Sequence, residues 1–82
     1  MADDLIVWVD YATDQYLALS SNVRGPLDKR LRQLAQDPTR DAFYDRDTDR
    51  WSVGCDNGQG LVMYIANQQH RRIVILRILH LG

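Results

Sequence analysis

Residues 73–79, Ile-Val-Ile-Leu-Arg-Ile-Leu, are apolar at every position except Arg77. A run this apolar, this short and this rich in β-branched residues predicts a strand near the centre of a sheet, covered on at least one face. The rest of the chain must then supply flanking strands and a covering layer. Trp51, Val53 and Cys55 alternate with Arg50, Ser52 and Gly54, the period of two expected of a strand. Asp56-Asn57-Gly58 signals a hairpin turn, because Asn and Gly tolerate positive φ. Residues 61–66 predict the next strand and 67–71 the following turn. At the other end of the chain, Leu5-Ile6-Val7-Trp8-Val9 predicts a buried strand.

The covering layer is helical. Asp10 is placed to cap a helix from its side-chain oxygen, and that helix runs to about Leu19 with Ala12, Tyr16 and Leu19 on one face. Ser20 and Ser21 interrupt it and offer a second N-cap. Val23, Leu27, Leu31 and Leu34 then recur at helical spacing, with Arg24, Lys29, Arg30 and Arg32 mostly off that face. Pro26 is cheap only in a first turn, so this helix starts a few residues before it or kinks at Gly25-Pro26. Asp37-Pro38 ends it. Residues 38–49 are polar and Asp-rich, interrupted by Phe43 and Tyr44. The element order is β-α-α-β-β-β, an α+β fold in a single domain, 1–82, as its 82 residues allow.

Alternation sorts the strand side chains. Trp51, Val53 and Cys55, then Leu61, Met63 and Ile65, then Val74, Leu76 and Ile78 form apolar sets expected to face the helices. The opposite face would show Arg50, Ser52, Val62, Tyr64, Arg71 and Arg77. Arginine offers forked donors and tyrosine a stacking plane, which together suit a phosphate backbone. The assignment takes the strands as regular; one β-bulge swaps a set.

Charge sharpens this picture. All eleven acids are Asp, nine of the ten bases are Arg, and the net charge is −1. The bases cluster on the second helix, with Lys29 and Arg30, and on the C-terminal strand, with Arg71, Arg72 and Arg77. A neutral protein can carry a local positive patch in this way, although proteins that grip nucleic acid unaided are usually more basic. One cysteine, Cys55, excludes an intrachain disulfide and a cysteine-rich zinc site, and its alternation with Trp51 and Val53 marks it as core. Asp45, Asp47 and Asp49 have some spacing of a calcium loop but lack its glycine and glutamate, so they read as a solvated loop, and no metal or cofactor is expected. No apolar run is long enough to span a membrane, and Leu5–Val9 is too short for a signal-peptide core, which suggests a cytoplasmic domain. His80 can be a surface residue near the end of a strand, the reading that local sequence favours, or a proton shuttle. His70 sits in a turn and reads as solvated.

Asn22-Val23-Arg24, the segment from Leu31 to Pro38 with Leu34, Ala35 and Asp37, Trp51, Tyr64-Ile65 and Ile75-Leu76-Arg77-Ile78-Leu79-His80 occur in an order that resembles the RelE/ParE superfamily of bacterial toxins from type II toxin–antitoxin systems. The resemblance covers nearly the whole chain. It implies a helical hairpin packed on one face of an antiparallel-rich sheet, and a cognate antitoxin as partner. It also implies inhibition of translation through mRNA cleavage on the ribosome, in which a ribose 2′-OH attacks the adjacent phosphate. By position in the family pattern, Arg77 would bind phosphate and His80 would transfer a proton, with Tyr64 and Arg50 placing the RNA. Arg71, Arg72, Lys29 and Arg30 are the further candidate RNA contacts. The chain departs from RNA-cutting members where Ser52 and Gly54 replace basic residues, where Leu61 and Val62 open the next strand, and in having no Glu. The alternatives are a ParE-like inhibitor of DNA gyrase with no nuclease site, or a degenerate member that only binds its antitoxin.

Overall fold

The computed structural model describes residues 3–81. The chain runs β1 (Leu5–Trp8), α1 (Asp10–Leu17), α2 (Ser21–Gln36), β2 (Phe43–Asp45), β3 (Arg50–Cys55), a 3₁₀ turn (Asp56–Gly58), β4 (Gly60–Asn67) and β5 (Arg72–His80). The sheet order is β1-β5-β4-β3-β2, with β1 parallel to β5 and every other pair antiparallel. The apolar C-terminal run is therefore an interior strand, as its composition requires. The expected α+β architecture holds, with one strand added. Phe43–Asp45, within a segment expected to be loop, pairs with Arg50–Ser52 as a short edge strand. Its side chains are exposed throughout, so no alternation of burial marks it in the sequence.

Helix starts differ from expectation in detail. Val9, not Asp10, is the N-cap of α1, and neither helix has a side-chain cap hydrogen bond. Asp10 instead places its carboxylate in the first turn of α1, where the helix dipole favours it. Pro26 lies inside α2, which begins at Ser21 and continues through it to Gln36. Leu27, Leu31 and Leu34 are the buried stripe of α2, and they cover one face of the sheet.

The faces of β4 and β5 are the main correction. On β4 the buried residues are Val62 and Tyr64, while Leu61, Met63 and Ile65 stand on the face away from the helices. On β5 the buried residues are Ile73, Ile75 and Ile78, so Val74 and Leu76 also leave the core. On β4 the alternation is regular and the inward set is simply the other one; on β5 the cause is a β-bulge. Met63 pairs with Arg77 and Tyr64 with Ile75, which makes Leu76 an extra residue on β5. Parity changes across it, so Ile73 and Ile75 share a face with Ile78 and His80. Past the bulge, the Ile78 N–H donates to Gln15 Oε1 of α1 at 2.8 Å. Beyond Trp8, β5 has no strand on its β1 side, and α1 lies along that length instead.

Tyr64, expected on the open face, is fully buried, and its hydroxyl donates to the Pro38 carbonyl that follows α2. Burial pushes its pKa up to about 12, partly opposed by the Arg30 guanidinium. The folded value lies above the unfolded value of 10.0. Stability from the neutral phenol is thus complete below the unfolded pKa and is lost as pH rises through the folded one. Thermal melts of the native protein should fall between pH 10.0 and about 12, and melts of Tyr64→Phe should fall less steeply over that window. Parallel slopes would remove Tyr64 from the alkaline transition.

Candidate functional site

The bulge decides what stands on the open face. Leu76 and Arg77 both oppose Met63 there, and Met63 is in register with Ser52 and Phe43 across the sheet. Arg50, at the start of β3, shares this face. Helix α1 straddles the sheet edge. Tyr16 looks to the helix side, where its ring meets Trp8 at 5.2 Å and its hydroxyl donates to Asp28 at 2.7 Å. That bond to a carboxylate, ahead of burial, raises the Tyr16 pKa. Tyr11 reaches the other way. Tyr11, Arg50, Met63, Leu76 and Arg77 together line a shallow cleft of about 270 Å³.

Arg50 and Arg77 are exposed, and among the described residues neither guanidinium forms a hydrogen bond or ion pair. Two free guanidinium groups over an apolar floor are suited to a phosphodiester, which accepts forked hydrogen bonds. The cleft is smaller than the ~300–1,000 Å³ of enclosed small-molecule pockets.

The other sequence candidates lie elsewhere. His80 faces the helix side with Ile78, and its Nε2 lies 2.9 Å from Asp56 Oδ2. The pair ties the end of β5 to the turn after β3, where Asp56, Asn57 and Gly58 all have positive φ. Gly60 is required there, because a Cβ would stand 2.5 Å from Cys55 Sγ. Cys55 is buried, and burial with the nearby Asp56 raises its thiol pKa, the opposite of an activated nucleophile. Tyr64 is separated from Arg77 by the sheet itself. Lys29 and Arg30 lie on the helix side beside Cys55, Asp56 and Asn57, and Arg30 is held by Gln33 Oε1 and the Arg40 carbonyl at 2.9 Å each. Arg71 pairs with Asp4 at 3.2 Å. Arg72 is five residues from Arg77 along β5, roughly 16 Å at the usual strand rise. The structure thus brings together Arg50 and Arg77 and disperses Tyr64, His80, Arg71, Arg72, Lys29 and Arg30.

Tyr11 was not among the sequence candidates. Its place in a helix gave no sign that it reaches a sheet face, since helical periodicity sorts residues only around their own axis. Asp45 and Asp49 serve the loop locally: Asp45 Oδ1 accepts from the Asp47 N–H at 3.0 Å, and Asp49 Oδ1 from the Tyr44 hydroxyl at 2.6 Å. Among the described residues no cluster of His, Cys, Asp or Glu could hold a metal ion, and no helix is long and apolar enough to cross a membrane.

Comparison with known proteins supplies a fold. No family model matches the sequence, and no curated protein is detectably similar to it. Solved structures do match. The toxin–antitoxin complex RelBE of Escherichia coli contains a chain that superposes with a TM-score of 0.82 at 17% identity, over 94% of this chain and 95% of that one. The RelBE2 toxin–antitoxin complex of Mycobacterium tuberculosis gives 0.82 at 18% identity, over 95% and 98%. The archaeal RelE–RelB complex of Pyrococcus horikoshii gives 0.74 at 14% identity, over 98% and 97%. The isolated E. coli RelE toxin also matches, at a TM-score of 0.82. Two helices against a five-stranded sheet, in this order and over this length, are the fold of the RelE toxins, and this chain has that fold.

Proposed function

We propose that the chain is the toxin of a toxin–antitoxin pair and that it inhibits translation by cleaving mRNA on the ribosome. The observation that carries this reading is the open-face cleft. In a fold shared with RelE toxins, it presents two arginines with no partner of their own among the described residues. In the reaction, the ribose 2′-oxygen bonds to the adjacent phosphorus and the bond to the 5′-oxygen breaks. The proton leaves the 2′-OH and a proton reaches the departing oxygen. Negative charge grows on the phosphoryl oxygens meanwhile, and the Arg50 and Arg77 guanidinium groups supply donors for it. The near-neutral charge of the chain is compatible with this, because the ribosome itself holds the mRNA. His80 and Tyr64 are structural in this reading.

An antitoxin has a surface to cover on the same face. Phe43, Leu61, Leu79 and Leu81 line an apolar groove, with Phe43 and Leu81 about four-fifths exposed. A second reading is favoured by what the cleft lacks. No His, Asp or Glu lines it, which suits a protein that blocks a target such as DNA gyrase by binding alone. Controlled expression in a bacterial host, with the ends of a reporter mRNA mapped by primer extension, separates the two. New ends inside translated codons are expected. Growth arrest with intact mRNA and accumulated DNA breaks would move the assignment to gyrase.

A further inference from the structure

Tyr11 has no evident task in the fold. Its side chain is 58% exposed. Trp8, Tyr16, Tyr44 and Trp51 each pack against another ring, and Tyr64 is anchored by a hydrogen bond. Among the described residues Tyr11 makes no ring contact, no side-chain hydrogen bond and no cation–π contact. Its position is nonetheless well determined. It stands in the first turn of α1, and α1 is tied to β5 by the N-cap residue before that turn and by Gln15 in the next one. The Val9 N–H donates to the Ile75 carbonyl at 3.1 Å, and Gln15 Oε1 accepts from the Ile78 N–H at 2.8 Å. A rigidly carried, unpartnered aromatic ring therefore lines the same cleft as Arg50 and Arg77, over a floor of Met63 and Leu76.

We propose that Tyr11 is a base-stacking residue, which holds one unpaired nucleobase of a single-stranded RNA while the arginines take the neighbouring phosphate. The proposal rests on the RNA reading above and adds the substrate's form to it. Single-stranded nucleic acid is bound by cationic groups that follow the backbone and by aromatic rings that take base faces. A duplex offers no free base face to a ring that stands beside the phosphate site. Met63 and Leu76 give the base an apolar edge to rest on, and a polarisable thioether suits an aromatic neighbour. The preference is for an unstacked base of any identity, since every base has a π-face and the cleft offers few groups to read its edge.

The test is single-turnover cleavage of a defined mRNA on programmed ribosomes by the purified protein and by Tyr11→Leu, Tyr11→Phe and Arg77→Ala. Removal of a stacking ring slows the reaction roughly ten- to hundredfold, so Tyr11→Leu is expected to lose that much. Tyr11→Phe keeps the ring and is expected to restore most of the rate. Melting temperatures accompany each variant. If Tyr11→Leu folds poorly, Tyr11→Gln, a good helix former at this exposed position, removes the ring instead and is expected to lose the same, roughly ten- to hundredfold. Tyr11→Leu at the native rate, with Arg77→Ala inactive, would overturn the stacking role and leave the RNA reading in place. Equal losses in Tyr11→Leu and Tyr11→Phe would also overturn it, assigning the effect to the hydroxyl. No cleavage by the native protein would overturn both.

Discussion

Tyr64→Ala is expected to lower stability by about 3–5 kcal/mol, the range for removing a large aromatic from a core. Tyr64 is fully buried, and it sits where the bulge, α2 and the segment after α2 converge. Truncation removes the ring, leaves a cavity among Leu34, Val53 and Ile75 of the same core cluster, and abandons the Pro38 carbonyl. A domain of this size has roughly 4–12 kcal/mol in total, so the loss is a large share of it. Differential scanning calorimetry should show the melting point lowered by on the order of 20 °C, or no cooperative transition at all. Tyr64→Phe keeps the volume and loses only the hydrogen bond, worth roughly 1 kcal/mol. A Tyr64→Ala protein that melts like the native one would contradict the buried position.

Arg77→Ala is expected to lower mRNA cleavage by about 10²–10³-fold with the melting point unchanged. That is the usual effect of removing one preorganised donor from a developing oxyanion. The side chain is exposed and makes no contact that the fold needs. Arg77→Lys should recover only part of the rate, because an ammonium cannot reproduce the planar fork. His80→Ala is the informative contrast. His80 lies across the sheet from the cleft and holds Asp56 at 2.9 Å, so its loss should reduce stability before it reduces chemistry. Loss of cleavage in His80→Ala at an unchanged melting point would return proton transfer to His80. Full toxicity in Arg77→Ala would remove the open-face cleft from the mechanism.

The contrast between these two residues shows which parts of the site could be read in advance. Arg77 was legible because it is the one charge in an apolar run, and a charge there must find an exposed face. Tyr64 was not. It sits one residue from the bulge register shift, and a strand's alternation carries no sign of which set faces inward when both sets are apolar. On β4 the candidates were Leu61, Met63 and Ile65 against Val62 and Tyr64. The larger apolar set predicted the wrong side: Val62 and Tyr64 face inward, and the tyrosine hydroxyl reaches the Pro38 carbonyl. On β5 the bulge at Leu76 placed Ile73 and Ile75 with Ile78. Strict alternation cannot produce that grouping.

What the chain's own residues determined is the local order. Periodicity of two, periodicity of 3.6, the Asp37-Pro38 stop and the Asn57-Gly58 turn are short-range consequences of sterics and hydrogen bonding, and each can be read within a few residues. What only the tertiary structure decided is which face each strand presents and which distant residues meet. One inserted residue reverses every side chain beyond it, and the Ile78 N–H, past the end of β1, is satisfied by Gln15, 63 positions away in sequence. The same docking of α1 carries Tyr11 to Arg50 and Arg77. That meeting depends on the packing of a helix against the end of a sheet, an energy shared among residues too far apart in the chain for any local pattern to record.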